Sequence, residues 1–160
     1  MLSANLSNEC IKYIKDHLHI SYDRDLIIDP HAGNNHFMEG IRTLSKLNLF
    51  YNKSPTHPEV LPLDFLQIDF ARYDKTFLSG LWYDDVHVIC YPPPDLAEQF
   101  ITSACKFAES ISLVMPKKAQ YTFPVNYQRM FTTSLQGTGL TGTELLGKDM
   151  TFQIWMKADY

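Results

Sequence analysis

The sequence predicts an α/β fold, with a mostly parallel central sheet and a C-terminal antiparallel hairpin. Three observations carry that expectation. The apolar run Asp25-Leu26-Ile27-Ile28-Asp29 leads through a Gly/Asn-rich loop into a stretch whose apolar residues recur at helical spacing. Two further apolar runs, Asp85 to Tyr91 and Ser110 to Met115, flank a second helical stretch. The tail holds two strand-like runs, Arg129 to Leu135 and Thr151 to Lys157, around a Gly/Thr-rich connection.

Each element follows from local pattern. Cys10, Ile11, Ile14 and Leu18 share one side of a helix expected over Ser7 to Leu18, with Ser7 as its cap. Asp25 to Asp29 has the continuous apolar character of a strand buried on both faces. Phe37, Ile41, Leu44 and Leu47 then mark a helix from Phe37 to Leu47. Leu47 to Tyr51 is a second strand, ended by the two prolines of Lys53 to Pro58. Leu61 to Phe65 is expected to be a short third strand. After the strand at Asp85 to Tyr91, Pro92-Pro93-Pro94 breaks pairing, and Asp95 is placed to cap a helix reaching Ala108. Pro116 stops the strand that begins at Ser110.

Bulk properties narrow the function classes. A chain of 160 residues suits a single domain, expected to span 1–160. Hydrophobic residues at 45% and aromatics at 13% argue for a packed interior and against disorder. The net charge of -4 offers no broad attraction for a polyanion, so nucleic acid is expected only with the help of a partner. Cys10, Cys90 and Cys105 lack a framework spacing, which points to reduced thiols. No apolar stretch approaches the ~20 residues of a spanning helix, and no secretory signal is evident, so an intracellular setting without membrane insertion is expected. Asn5-Leu6-Ser7 and Asn52-Lys53-Ser54 match the glycosylation sequon, here by chance.

Chemistry in a doubly wound sheet concentrates at the carboxyl ends of the strands. Two loops belong there. Asp29-Pro30-His31-Ala32-Gly33-Asn34-Asn35-His36-Phe37 makes a tight turn into a helix, and Tyr91-Pro92-Pro93-Pro94 follows the strand ending at Tyr91. Read singly, the first is an ordinary strand-to-helix turn and the second a stiff connection. Gly137-Thr138-Gly139-Leu140-Thr141-Gly142 matches a dinucleotide pattern, but too little chain follows to complete a βαβ unit. The pairs His31/His36 and His17/His19 lack the company a metal site needs, Cys90 has no evident base, and Lys117-Lys118 reads as a solvated turn.

In combination and order, Asp-Pro-x-Ala-Gly-x-x-x-Phe, the Pro-Pro loop, Ser110-Ile111-Ser112-Leu113-Val114-Met115-Pro116-Lys117 and Phe152-Gln153-Ile154-Trp155 say more. From about Leu26 to Lys157 the chain resembles class I S-adenosylmethionine-dependent methyltransferases, specifically the amino-methylating branch that includes adenine-N6 enzymes. The resemblance implies a Rossmann-like methyltransferase fold. It places Asp29 beside the methionine portion of S-adenosylmethionine, Ala32 and Gly33 under it, Asn35 at the later glycine position, and Asp64-Phe65-Leu66 beside the adenine. Tyr91-Pro92-Pro93-Pro94 stands at the catalytic loop.

The departures point one way. Asn35 replaces a glycine, with His36 adding bulk beside it. After the second strand, Tyr51-Asn52-Lys53-Ser54 lacks the acid that would hold the ribose hydroxyls, leaving Asn52 as the hydrogen-bonding group. At the catalytic loop the family pattern is Asn or Asp, two prolines and an aromatic. Tyr91 and Pro94 remove both the short polar acceptor and the ring that stacks on a base. A displacement of about 1 Å can cost a hundredfold in rate. The sequence therefore predicts a non-catalytic relative serving as a binding or structural subunit. Its expected partner is another protein or a second copy, in the cytoplasm or in a viral or other macromolecular assembly. The alternatives are an active S-adenosylmethionine-dependent amino-methyltransferase and, between the two, a cofactor- or nucleotide-binding regulator without transfer.

Overall fold

The computed structural model describes residues 4–33, 37–68, 83–135 and 150–158. The elements run α1 (Ala4–His17), β1 (Leu26–Asp29), α2 (Met38–Leu44), β2 (Leu47–Phe50), β3 (Val86–Cys90), α3 (Ala97–Ala104), β4 (Ser110–Pro116), β5 (Tyr127–Leu135) and β6 (Met150–Lys157). They form one six-stranded sheet in the order β2-β1-β3-β4-β6-β5. The first four of these strands pair in parallel, and β6 runs antiparallel to both β4 and β5. The α/β architecture with a terminal antiparallel hairpin is thus as expected. Asn35 and His36 of the first loop and the Gly137 to Gly142 connection lie outside the described residues.

Helices cover both faces, which is why the central strands are mostly apolar. Side chains alternate along a strand. Ile27, Ile89, Val114, Phe152 and Ile154 accordingly pack with α1 and α2, while Leu26, Ile28, Val88, Ile111 and Leu113 pack with α3. Gly40 lets α2 approach α1 closely: a Cβ there would lie 2.3 Å from Ile11 Cγ1. Between the parallel strands β4 and β5 the crossover over residues 117–126 contains no helix. It is held down by Phe123, whose ring lies flat on Trp155 at 3.8 Å, and by the Thr122 N–H, which donates to Glu98 Oε1 at 2.9 Å.

Several local expectations are corrected. Ser7 lies inside α1 and is buried, so it does not cap the helix. The residue at the start of α3 is Leu96, which makes no side-chain cap bond, and Asp95 does not supply one. Helix α3 ends at Ala104 rather than Ala108, and α2 ends at Leu44 rather than Leu47. The reason at α2 is Ser45: its backbone turns extended, and its buried hydroxyl donates to the Asp25 carbonyl and accepts from the Leu47 N–H. Leu61 to Phe65 is not a strand. Leu61 makes a single bridge to Tyr51, and Phe65–Gln67 forms a 3-10 turn capped by Asp64.

At the amino edge of the sheet lies a polar chain that the apolar pattern conceals. Asp25, at the entry to β1, accepts from His87 Nε2 of β3 at 3.0 Å, and His87 Nδ1 lies 2.7 Å from Ser110 Oγ of β4. All three residues are buried. Asp25 also accepts the Ser21 and Asp85 N–H groups, so the carboxylate is well supplied with donors. Burying such a group is tolerable only while its partners remain. Replacing His87 by Ala should therefore lower the stability by about 3–5 kcal/mol in urea denaturation. A loss under about 1 kcal/mol would show that the chain of contacts carries little of the fold's stability.

Candidate functional site at the carboxyl edge

The loops after β1, β2 and β3 leave the sheet at one edge, as parallel strands require. Asp29 closes β1 there and is only 2% exposed. The His31 N–H donates to Asp29 Oδ1 at 3.1 Å, bending the chain sharply after Pro30. Burial pushes the Asp29 carboxyl from the ordinary carboxylate range up to about 7, against the pull of the His31 hydrogen bond. Cys90, at the end of β3, is buried, and burial, reinforced by the Asp29 charge, drives its thiol well up. A thiol held protonated in this way is no nucleophile.

Ala32 is tied to β2 from both sides. Its N–H donates to the Tyr51 carbonyl at 2.9 Å, and its carbonyl accepts from Asn52 Nδ2 at 3.1 Å. The Tyr51 N–H in turn donates to the Asp29 carbonyl at 3.0 Å. Asn52 Oδ1 accepts the Ser54 N–H at 2.8 Å, so both ends of this amide are used within the chain. Asn52 is where the sequence left hydrogen bonding to a ribose, and here it fastens two loops together. Gly33 is half-buried next to Ala32.

Behind these loops stands an aromatic wall. Phe65 stacks on Phe100 of α3 at 5.9 Å and 17°, and leans on Tyr51 and Phe107, each at 6.1 Å. Phe65 is almost wholly buried, so it belongs to the core. Asp64 spends a carboxylate oxygen on the Leu66 N–H at 3.0 Å. The half-buried His31 ring meets Phe100 edge-on, with centroids 5.8 Å apart and planes 73° apart. Burial pushes the imidazole below its ordinary value, with the nearby Lys53 charge acting in the same direction and Asp64 against it. The sequence weighed His31 only as a metal ligand, and its place in this wall depends on Phe100, some seventy residues away in the chain.

The catalytic-loop candidates stand apart in character. Tyr91 packs against the apolar cluster on the α1 and α2 side. Pro92 is buried, Pro93 is half-buried and Pro94 is exposed. The Leu96 N–H donates to the Pro93 carbonyl at 3.0 Å, forming the turn into α3. Among the described residues no three His, Cys, Asp or Glu side chains gather as metal ligands. His17 Nδ1 sits 2.9 Å from the Tyr13 carbonyl, and its ring packs on Phe131. No helix among the described residues is long and apolar enough to cross a membrane.

No protein-family model and no curated protein sequence matches the chain, so its relationships rest on structure. A Haemophilus influenzae protein classed as a methylase superposes with a TM-score of 0.59 at 17% identity, covering 97% of this chain and 98% of the other. An Escherichia coli protein classed as a methyltransferase gives 0.63 at 9% identity, over 99% and 88% of the two chains. A Listeria monocytogenes protein classed as a class I S-adenosylmethionine-dependent methyltransferase gives 0.62 at 12% identity, over 99% of this chain and 61% of that one. With this sheet order and these neighbours, the chain has the Rossmann-like class I methyltransferase fold.

The Asp29 carboxyl yields a stability signature. Its folded value near 7 lies above the ordinary carboxylate value, so the folded state binds this proton more tightly. The contribution is complete below about pH 4 and is lost as pH rises through about 7. The Asp29→Asn variant removes this loss. Relative to the parent, it should gain a few kcal/mol between pH 5 and pH 8 in chemical denaturation. An unchanged difference between the two proteins at the two pH values would refute the buried, proton-holding Asp29.

Proposed function

We propose that this methyltransferase-fold protein does not transfer methyl groups and acts as a binding or structural subunit for another protein or a second copy of itself. The carrying observation is the use of Asn52: the side chain left to meet a ribose donates to Ala32 and accepts from Ser54. Turning it away from Ala32 would strand that carbonyl at a cost of about 1–3 kcal/mol, roughly a five- to 150-fold loss of affinity. The catalytic loop supports the same reading. Tyr91 is partly buried and packs against the apolar cluster, and Pro94 supplies no aromatic face. With one N–H and one oxygen lone pair of Asn52 committed within the chain and no carboxylate beside it, the paired acceptor for ribose hydroxyls that the resemblance implies is missing, and the altered loop does not support transfer to an amine.

The residues under the methionine portion favour the active alternative more than the others do. Asp29 and the Ala32-Gly33 turn keep the pattern of a cofactor loop, and Asp29 ends its strand as such a loop requires. Titration calorimetry decides between the readings. Neither S-adenosylmethionine nor its demethylated product should give heat up to millimolar concentration, and neither should shift the thermal midpoint. Micromolar binding with transfer of labelled methyl to protein or nucleic acid would establish the enzyme instead.

A further inference from the structure

We propose that the outer edge of β5 is a homodimer seam, on which residues 131–135 of one copy pair antiparallel with the same residues of a second copy, so that one sheet runs through both molecules. The inference rests on the reading above, of a chain that works through a partner, and it names that partner as a second copy. β5 stands last in the sheet and pairs only with β6. Among the described residues, 131–135 make no backbone hydrogen bond beyond that pairing. An open strand edge is a template for another strand, and folds blunt it with charges, prolines or bulges. β5 is blunted over its first half alone. Arg129 is its one charged residue, and the register shifts between Arg129 and Phe131, leaving Met130 as an extra residue that is 53% exposed. The second half, Phe131-Thr132-Thr133-Ser134-Leu135, has no charge, no proline and no bulge.

The chemistry of this edge suits its own reversed copy. Side chains alternate along a strand, so antiparallel pairing about Thr133 keeps matching faces together. Thr132 then stands opposite Ser134 of the second copy, Phe131 opposite Leu135, and Thr133 opposite its own equivalent. Cross-strand hydroxyl pairs are favourable, and no like charges meet. Thr132 and Ser134 are both exposed, as their use across a seam requires. The flank of α1 over this edge is self-complementary in charge. The rings of His17 and Tyr13 pack on Phe131 at 4.1 and 4.9 Å, and the Tyr13 hydroxyl donates to Glu9 Oε1 at 2.7 Å. Glu9, Tyr13 and His17 follow one another at helical-turn spacing, so the ridge has a carboxylate at one end and an imidazole at the other. The twofold axis that reverses the strand also reverses the ridge, turning Glu9 of each copy toward His17 of the other. An unrelated strand would match the open backbone but not this ridge. Such an interface uses the same patch twice and closes at two copies.

The test takes the whole chain through sedimentation equilibrium from micromolar to millimolar concentration. The parent should show a reversible monomer–dimer equilibrium. Thr132→Lys combined with Ser134→Lys sets like charges face to face across the seam and should weaken association about tenfold. Thr132→Glu combined with Ser134→Glu should do the same. Mixing the two variants should restore association, because each lysine then faces a glutamate. A parent that stays monomeric at millimolar concentration, growth beyond the dimer, a dimer that the lysine variant leaves unchanged, or variants that fail to combine on mixing overturns the proposal. Should either variant fail to melt cooperatively, amide exchange in the parent takes its place. The amides of 131–135 should exchange more slowly as the protein concentration rises, and rates independent of concentration overturn the proposal. A monomeric parent leaves the absence of methyl transfer standing, whereas transfer of labelled methyl brings down that reading and not the seam.

Discussion

The loop after β1 is fastened to the end of β2, and the character of the carboxyl edge depends on that fastening. Three hydrogen bonds do it: Tyr51 N–H to the Asp29 carbonyl, Ala32 N–H to the Tyr51 carbonyl, and Asn52 Nδ2 to the Ala32 carbonyl. The first two continue the pairing of parallel neighbours past the formal ends of the strands. The third is a side-chain choice, available because residue 52 is an amide. A carboxylate at that position has no proton to donate and would turn its oxygens toward hydroxyl donors instead. The amide at residue 52 thus acts as a clamp between loops.

The clamp has consequences on both sides. Toward β1 it holds the turn that buries Asp29, and a carboxyl kept from water with one backbone donor retains its proton to about pH 7. Toward α3 it presents His31 to Phe100, and the wall of Phe65, Phe100, Phe107 and Tyr51 closes behind it. The opposite edge is secured by different means. There Asp25, His87 and Ser110 link three strands through one imidazole. The sheet is therefore pinned by polar contacts at both ends, with the apolar layers of α1 and α2 on one face and α3 on the other between them.

Much of the architecture was legible because it is written in short-range pattern. Leu26-Ile27-Ile28 is apolar without alternation, and Val86 to Cys90 nearly so with His87 as its one polar member, as a strand covered on both faces requires, and the closing hairpin shows in its two β-rich runs. Errors fell where a tertiary contact overrode a local preference. Ser7 has the chemistry of a cap but sits on the buried side of α1, and Ser45 ends α2 because its hydroxyl is wanted at the start of β1. The apolar residues of Leu61 to Phe65 divide their roles: Leu61 is partly exposed and bridges Tyr51, whereas Phe65 turns into the aromatic wall. Asp29, Ala32 and Asn52, named together from their order in the chain, lie side by side at the carboxyl edge. What Asn52 bonds to was not legible, because its partner is set by a loop path twenty residues earlier.

Amide hydrogen exchange at Ala32 tests the central claim most directly, since that N–H and carbonyl are both bound in the closed edge. The account predicts that the Ala32 and Tyr51 amides are protected in the free protein and that millimolar S-adenosylmethionine leaves their rates unchanged. Rapid exchange of the Ala32 amide in the free protein, slowing when S-adenosylmethionine is added, would contradict it and show an edge that closes on the cofactor instead of on itself.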